Sequence, residues 1–159
     1  MPDLSSNAVV SYAVALANRN SEALSFIPAP KLQDYHRRGR LLTVSENGDL
    51  CGFLVWGGRH GLVKVYQVCV QDDARRLEHG AALIGKLEAM TLGAESLSAW
   101  CAADLESNAF WQALGFVFSG SRMGGVRRGR VHHLWIKWLN APVQFVLRWE
   151  AAPSVRAGT

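Results

Sequence analysis

The beginning of the chain has apolar residues at helical spacing. Its first 25 residues mix alanine, valine and leucine with polar positions, which predicts a helix. Ile27–Pro30 should end this helix, because proline lacks the backbone donor that a helix interior needs. Lys31–Gly39 has the pattern of a second, shorter helix with Gly39 as its stop signal.

The pattern then changes to strand-like runs. Asn47-Gly48 is a strong signal for a two-residue hairpin turn, so Leu41–Glu46 and Leu50–Gly57 should be antiparallel neighbours. Leu62–Val70 is rich in β-branched and aromatic residues and adds a third strand. These three runs predict a meander.

Helices and strands alternate in the second half. The pattern predicts a helix over Ala81–Leu92, a strand over Ser96–Ala102, a helix from about Asp104 to Gly115, and strands over Phe116–Gly120 and Val131–Leu139. The run VQFVLRW after residue 140 is open to being one more strand. The order α-α-β-β-β-α-β-α-β-β predicts an α/β fold, with helices on both faces of a mixed sheet.

One stretch, HGAALIGKL at residues 79–87, nearly matches the phosphate-binding pattern G-x-x-x-x-G-K-[ST]. Position 87 is leucine, where the pattern needs a hydroxyl for Mg²⁺. The preceding strand ends near Val70, too far from Gly80 for a P-loop. A helical apolar stripe also runs through the stretch, formed by Leu83, Leu87 and Met90. We therefore interpret it as a helix with its N-terminus near Glu78–Ala81, whose free N–H groups favour phosphate.

Composition is that of an ordinary globular domain. The chain has 159 residues, 49% of them hydrophobic and 19% charged, which favours a single domain over residues 1–159. No apolar run is long enough to span a bilayer, and no basic segment precedes the apolar N-terminus as in a signal peptide. We expect a cytoplasmic protein with no membrane contact and no metal site. Its free thiols would be Cys51, Cys69 and Cys101.

Positive charge is concentrated in two places. The net charge is +4, and the excess lies in Tyr35–Arg40 and Ser121–Arg130. Such clusters attract nucleic acid, a phosphorylated cofactor or an acidic partner, or they are simply solvated loops. The clusters alone do not decide among these.

The order of elements and three local motifs resemble the GNAT superfamily of acyl-CoA N-acyltransferases. In that family a strand is followed by R/Q-x-x-G-x-G/A, whose backbone amides bind the pyrophosphate of coenzyme A. RRLEHGA at Arg75–Ala81 fits this motif, with Glu78 in place of the first glycine. VYQVCVQDDARR at Val65–Arg76 resembles the fourth family strand and its exit. NAFWQALGF at Asn108–Phe116 resembles A-x-x-F-Y-x-x-L-G-F. The resemblance covers about residues 20–139 and leaves 140–159 as a C-terminal extension.

The resemblance implies a mostly antiparallel sheet in which two central strands splay apart and acyl-CoA lies in the gap. Leu62–Val70 would be one wall and Ser96–Ala102 the other. Val68 and Val70 would offer backbone groups to the pantetheine arm. The full set of cofactor-binding residues that the resemblance implies is Val68, Val70, Arg75, Arg76, His79, Gly80, Ala81, Asn108 and Trp111.

The activity implied is direct transfer of an acetyl group from acetyl-CoA to a primary amine of a small molecule or protein. Such transfer needs a base for the amine proton, for which we select His133, with His132 on the opposite face as the alternative. Trp111 stands where the family often has a tyrosine acid, so Tyr66 is our candidate for the acid or a positioning group. Period two would put Tyr66 on the face of Val68. Tyr66 can equally be a packed core residue, and a lone histidine on a strand is more often a structural hydrogen-bonder than a catalyst.

Two alternative functions stay open at this point. The chain can be a non-catalytic GNAT-fold module that binds coenzyme A or a partner. It can be a nucleic-acid-directed modifying protein, which the two arginine-rich clusters motivate. Whether the protein forms a homodimer is a separate open question.

Overall fold

The computed structural model describes residues 5–59, 61–73, 75–124 and 129–140. The order of helices and strands in these ranges is the predicted one. The elements are α1 Ser6–Arg19, α2 Ala29–Arg37, β1 Leu41–Glu46, β2 Asp49–Arg59, β3 Leu62–Val70, α3 Arg76–Met90, β4 Ser96–Ala102, α4 Ser107–Ala113, β5 Val117–Met123 and β6 Val131–Trp138. No helix within these ranges is long and apolar enough to cross a membrane. The run VQFVLRW lies outside the described residues.

The strands form one mixed sheet in the order β1-β2-β3-β4-β6-β5. Only β3 and β4 pair in parallel, and α3 is the crossover that a parallel pair requires. The other neighbouring strands are antiparallel. The predicted mixed, mostly antiparallel α/β fold is confirmed.

The hairpin between β1 and β2 forms where the sequence places it. Asn47 and Gly48 both have positive φ, at 53° and 85°. A two-residue type I′ turn requires this geometry, and Asn-Gly adopts it at low cost. The turn sets the register of the first two strands.

Helices cover both faces of the sheet, as predicted. α3 and α4 pack on one face, where Leu54, Leu83 and Leu97 are fully buried. α1 and α2 pack on the other face over Phe53 and Val55. Successive residues of β2 therefore enter opposite cores, as the pleat of a strand dictates.

Four sequence predictions need correction. α3 begins at Arg76, earlier than predicted, after a turn in which the Asp73 carboxylate accepts from the Arg75 N–H at 2.8 Å and the Asp73 carbonyl accepts from the Arg76 N–H at 3.2 Å. Met90, the last helical residue, is 53% exposed, and Ile84 joins Leu83 and Leu87 on the buried face instead. The first helix ends at Arg19 and α4 is only Ser107–Ala113, shorter than predicted in both cases.

Candidate functional site

The two central strands separate partway along their length. β3 and β4 pair only through Leu62–Val65 and Ser96–Ala99. At the same point the register between β2 and β3 shifts, so that Tyr66 is an extra residue in β3. Such a β-bulge bends its strand and ends regular pairing. The splay implied by the family resemblance is present, and the bulge is its local cause.

Beyond the bulge, one edge of β3 has no partner strand among the described residues. The Gln71 N–H donates to the Cys51 carbonyl at 2.8 Å, so this residue turns its backbone toward β2. Backbone groups alternate in direction along an antiparallel ladder. By that alternation Val68 and Val70 turn their N–H and C=O groups away from β2 and into the gap.

A cavity of about 760 Å³ occupies the gap and reaches both faces of the sheet. Residues on the face of the sheet that carries α3 and α4 line one end of the cavity, and we call this end the α4 side. Residues from the segment after α1 and from the opposite face of β4 and β6 line the other end, which we call the α1 side. The α4 side includes Arg76, Ser107, Phe110 and Trp111, and the α1 side includes Asn20, Glu22–Ser25, Trp100, Arg122 and His132.

The two arginines that precede α3 have different roles. The Arg75 guanidinium pairs with Glu46 and, at 2.8 Å, with Glu78. It therefore neutralises the acidic residue that replaces the first glycine of the family motif. Arg76 lines the cavity and lies 3.9 Å from Asp72, whose side chain is 97% exposed. Arg76 is thus the better placed of the two cations for a phosphate.

The described lining of the cavity does not include His79, Gly80 or Ala81. Because α3 begins at Arg76, these three residues lie inside the helix and not at its N-terminus. His79 is buried, with its Nε2 atom 3.3 Å from a Glu46 carboxylate oxygen. A Cβ atom built at Gly80 would overlap the ring of Phe110. Gly80 therefore lets α4 pack closely against α3. Phe110, the residue that contacts Gly80, also lines the cavity.

Asn108 and Trp111, both expected near the coenzyme thiol, differ in position. The Asn108 amide donates to the carbonyls of Ala102 at 2.9 Å and Leu105 at 2.8 Å, and its oxygen accepts from Trp135 Nε1 at 2.9 Å. These bonds fix the turn between β4 and α4, and they use both the amide nitrogen and the oxygen of the Asn108 side chain. Trp111 lines the cavity and is buried.

A thiol and a hydroxyl also line the α4 side. Cys101 Sγ lies 3.5 Å from Ser107 Oγ. Burial raises the pKa of the Cys101 thiol, and burial raises the pKa of Cys69, which also lines the cavity, to about 11. Both thiols are therefore protonated at neutral pH, and Ser107 adds a hydroxyl near the splayed strands.

The bulge changes which residues of β3 face α1 and α2. The Tyr66 ring lies 6.0 Å from the ring of Tyr35 on α2, whereas Val68 packs with the core under α3. Tyr66 therefore does not share the face of Val68, contrary to the period-two prediction, because the extra residue interrupts the alternation. Tyr66 lines the cavity and is 42% exposed.

Gln67 was not selected from the sequence. It is only 3% exposed, lines the cavity, and donates its side-chain amide to the Ser25 carbonyl. That carbonyl can only accept, so the amide nitrogen must face it, and the orientation of the side chain follows. Gln67 thereby ties the bulge to the segment after α1. One amide in the apolar run VYQVCV was the available signal.

The two histidines of β6 point to opposite faces, and the cavity is on the His132 side. His132 pairs with Ala102 of β4 and lines the cavity, and its buried Nδ1 atom has no hydrogen-bond partner among the described residues. His133 packs its ring 4.9 Å from Phe118 and is not in the described lining. Of the two candidates for the base, His132 is therefore the one that lines the cavity.

Arginines from the Ser121–Arg130 cluster enter the α1 side. The Arg122 guanidinium lies 4.0 Å from the centre of the Trp100 ring. Arg130 donates to both carboxylate oxygens of Asp104 at 3.1 Å and to the Glu22 carbonyl at 3.2 Å. Hydrogen bonds from Arg130 lower the pKa of the Asp104 carboxyl. The cluster was visible in the sequence, but nothing there placed it at the cavity.

The profile of the acetyltransferase (GNAT) family matches residues 11–116, which is most of the chain. The chain therefore belongs to the GNAT family, as its splayed sheet and the cavity between β3 and β4 already indicate. No match was found among curated protein sequences.

Solved structures of GNAT proteins share the fold. Ard1 from Thermoplasma volcanium is 16% identical, with 85% of this chain and 93% of that chain covered and a TM-score of 0.73. The aminoglycoside 6′-N-acetyltransferase from Enterococcus faecium is 12% identical, with coverage of 88% and 96% and a TM-score of 0.67. The ribosomal-protein-S18-alanine N-acetyltransferase from Escherichia coli is 16% identical, with coverage of 87% and 92% and a TM-score of 0.63. At these identities the likeness concerns the fold.

Proposed function

We propose that this protein transfers an acetyl group from acetyl-CoA to a primary amine within a ternary complex. The observation that carries the proposal is the gap beyond the bulge, where β3 turns the backbone groups of Val68 and Val70 into a cavity that is open to both faces. Donor and acceptor can enter such a cavity from opposite sides and meet at the splayed strands. The solved relatives act on different amines, so their acceptors are not carried over.

The α4 side suits the donor. The free edge of β3 offers hydrogen bonds to the amides of a pantetheine arm, much as a missing strand would. Arg76 would contact the pyrophosphate near the start of α3, where free N–H groups and the helix dipole also favour an anion. Bound there, acetyl-CoA supplies the activated acyl group. A backbone N–H facing the gap can polarise the thioester carbonyl as its oxygen gains negative charge.

The α1 side suits the amine. A neutral amine nitrogen forms the new bond to the acyl carbon, the bond from that carbon to sulfur breaks, and the amine proton must be taken up. His132 is placed to accept this proton, directly or through a water. Tyr66 stays the candidate for positioning the amine or for giving a proton to the departing thiolate. A thiol pKa of about 8.5 also lets the thiolate leave unprotonated.

Two measurements on the wild-type protein test the proposal. Acetyl-CoA should raise the melting temperature, because a ligand that binds only the folded state stabilises it. Free thiol should then be released when a panel of amines is added. A melting shift with no thiol released over any amine would favour the non-catalytic binding module. If the melting temperature does not change at saturating acetyl-CoA, both readings fail.

A further inference from the structure

The acidic and basic residues that line the cavity are unevenly distributed. They are Glu22, Asp72, Arg76, Arg122, Arg130 and His132. Asp72 and Arg76 lie together where β3 passes into α3. The other four lie at the α1 side, where the acceptor would bind. The balance of charge there bears on which amines fit.

Of these four residues, only Arg130 forms an ion pair within the described ranges. Its Nη2 group donates to both carboxylate oxygens of Asp104, and its Nη1 group donates to the Glu22 carbonyl. The Glu22 side chain is exposed, and no ion pair involves it among the described residues. Arg122 pairs with no carboxylate within the described ranges. It is the one arginine at this end with no carboxylate partner among those residues, and the exposed Glu22 carboxylate lines the same end without contacting it.

Arg122 is also held in a defined place. It pairs across the sheet with His132, so both side chains leave the same face. Its guanidinium lies 4.0 Å from the centre of the Trp100 ring, which lines the same end of the cavity. A guanidinium stacked on an aromatic ring keeps its N–H groups at its edge, where they can bind a carboxylate or phosphate in bidentate fashion.

The size of this end favours a small acceptor. The cavity of about 760 Å³ must hold the pantetheine end of the donor as well as the acceptor. The Gln67 amide holds the segment after α1 against β3, which limits the space on that side.

From these observations we infer that the acceptor is a small amine that also carries a carboxylate or a phosphate, and that Arg122 binds this anionic group. The inference rests on the proposed acetyl transfer and adds the class of acceptor. Arg122 would hold the anion against Trp100 while the amine nitrogen lies toward His132 and the splayed strands. An amine with a second positive charge in place of the anion would put that charge beside Arg122 and bind less well.

Matched pairs of amines test the inference. β-Alanine is compared with β-alaninamide, and phosphoethanolamine with ethanolamine, using thiol release at saturating acetyl-CoA. We expect kcat/KM at least about tenfold higher for one anionic amine than for its neutral partner, as loss of a charge-assisted bidentate contact allows. Whether the carboxylate or the phosphate pair shows the larger ratio identifies the anionic group.

Substitutions then assign the effect to one side chain. In Arg122→Gln the ratio should fall to near one, with the KM for acetyl-CoA unchanged, and Arg122→Lys should keep part of it. Arg59→Gln, an exposed arginine at the far end of β2, controls for the loss of one positive charge and should keep the full ratio. The melting temperature of each variant checks that it is folded.

Several outcomes would overturn the inference and leave acetyl transfer standing. One is a kcat/KM for the neutral amines that equals or exceeds that for the anionic ones. Others are a higher kcat/KM for spermidine, kanamycin or peptide N-termini than for every small anionic amine, or an unchanged ratio of kcat/KM values in Arg122→Gln. If acetyl-CoA binds but no amine is acetylated, calorimetry with β-alanine and phosphoethanolamine in the presence of coenzyme A decides. Binding that Arg122→Gln abolishes supports the inference, and no binding overturns it. Failure of acetyl-CoA to bind removes the proposed function and the inference together.

Discussion

The two ends of the cavity are built by different means. The α4 side uses backbone groups of β3, apolar and aromatic packing from α4, and Arg76. The α1 side uses aromatic and charged side chains that come from four separate parts of the chain. A gap edged by backbone suits a donor that every member of the family shares. An end built from side chains suits an acceptor that differs among members, so the chemistry particular to this chain lies on the α1 side.

The largest expected effect concerns the proposed general base on the α1 side. His132→Ala should lower kcat by about 100-fold, because general-base catalysis contributes at least that much. The KM for acetyl-CoA should stay near the wild-type value, since His132 lies on the α1 side and the proposed donor site is on the α4 side. Steady-state thiol release at saturating amine measures both quantities.

The neighbouring histidine is the matched control. His133 lies on the other face of β6 against Phe118, so His133→Ala should reduce kcat only slightly. If both substitutions reduce kcat equally, or only the His133 variant is impaired, the assignment of the base is wrong.

The next effect concerns the packing that shapes the α4 side. In Gly80→Ala the new methyl group overlaps the Phe110 ring, which must move toward the cavity. We expect a loss of about 1–3 kcal/mol in the free energy of unfolding and a roughly tenfold higher KM for acetyl-CoA. Chemical denaturation and steady-state kinetics measure the two effects, and the KM for the amine should change less.

Gly85, in the same helix, is the control, because no atom lies within 4 Å of a Cβ built there. Gly85→Ala should stabilise the protein by about 0.5–1 kcal/mol through helix propensity and leave both KM values unchanged. A Gly80→Ala variant that is stable and kinetically normal would show that the α3–α4 approach does not shape the cavity.

The contrast between the two ends of the cavity also explains which features the sequence could predict. Apart from their exact bounds, the elements follow from local signals such as Asn47-Gly48 and the periodicity of α3. The gap follows from motifs contiguous in the chain. The start of α3 was misjudged because a turn at Asp73 begins the helix at Arg76, before the motif position where a glycine was expected. The bulge at Tyr66 is invisible to a period-two pattern, which is why the faces of β3 were assigned incorrectly.

The α1 side could not be assembled from the sequence. Which of His132 and His133 faces the gap depends on the register of β6 against β4, and this register is set by long-range pairing. The contact of Arg122 with Trp100 joins β5 to β4, and the Gln67–Ser25 bond joins β3 to the segment after α1. No local pattern encodes these contacts.

A smaller effect should distinguish the two arginines before α3. Arg76→Ala should raise the Kd of coenzyme A about threefold, as suits a partly exposed charge, and leave the Kd of pantetheine, which lacks the phosphates, unchanged. Calorimetry with both ligands measures this. Arg75→Ala should also weaken coenzyme A, since Glu78 would lose its neutralising partner, and Glu78→Gln in the same chain should restore the affinity. Equal weakening of coenzyme A and pantetheine by Arg76→Ala would show that Arg76 does not bind phosphate.

The smallest effect concerns the Asp104–Arg130 pair beside the α1 side. Arg130 lowers the pKa of Asp104 from its ordinary value of 3.8. A carboxyl group with a lowered folded pKa stabilises the fold above its unfolded pKa, and this contribution disappears as the pH falls through the folded pKa. Asp104→Asn should therefore lower the melting temperature slightly at pH 7, and the difference from wild type should vanish well below pH 3.8.

Glu106→Gln is the control at the same corner, since Glu106 makes no ion pair among the described residues and its side chain does not cap α4. Its melting temperature should follow the wild type at every pH.

The Asp104→Asn change also leaves Arg130 as a second cation without a carboxylate partner at the α1 side. If Arg122 selects an anionic acceptor, this variant should bind that acceptor no more weakly than the wild type, although it is less stable. A variant that loses acceptor affinity in parallel with stability would mean that the pair serves to position the segment at Glu22 rather than to set the charge of the acceptor end.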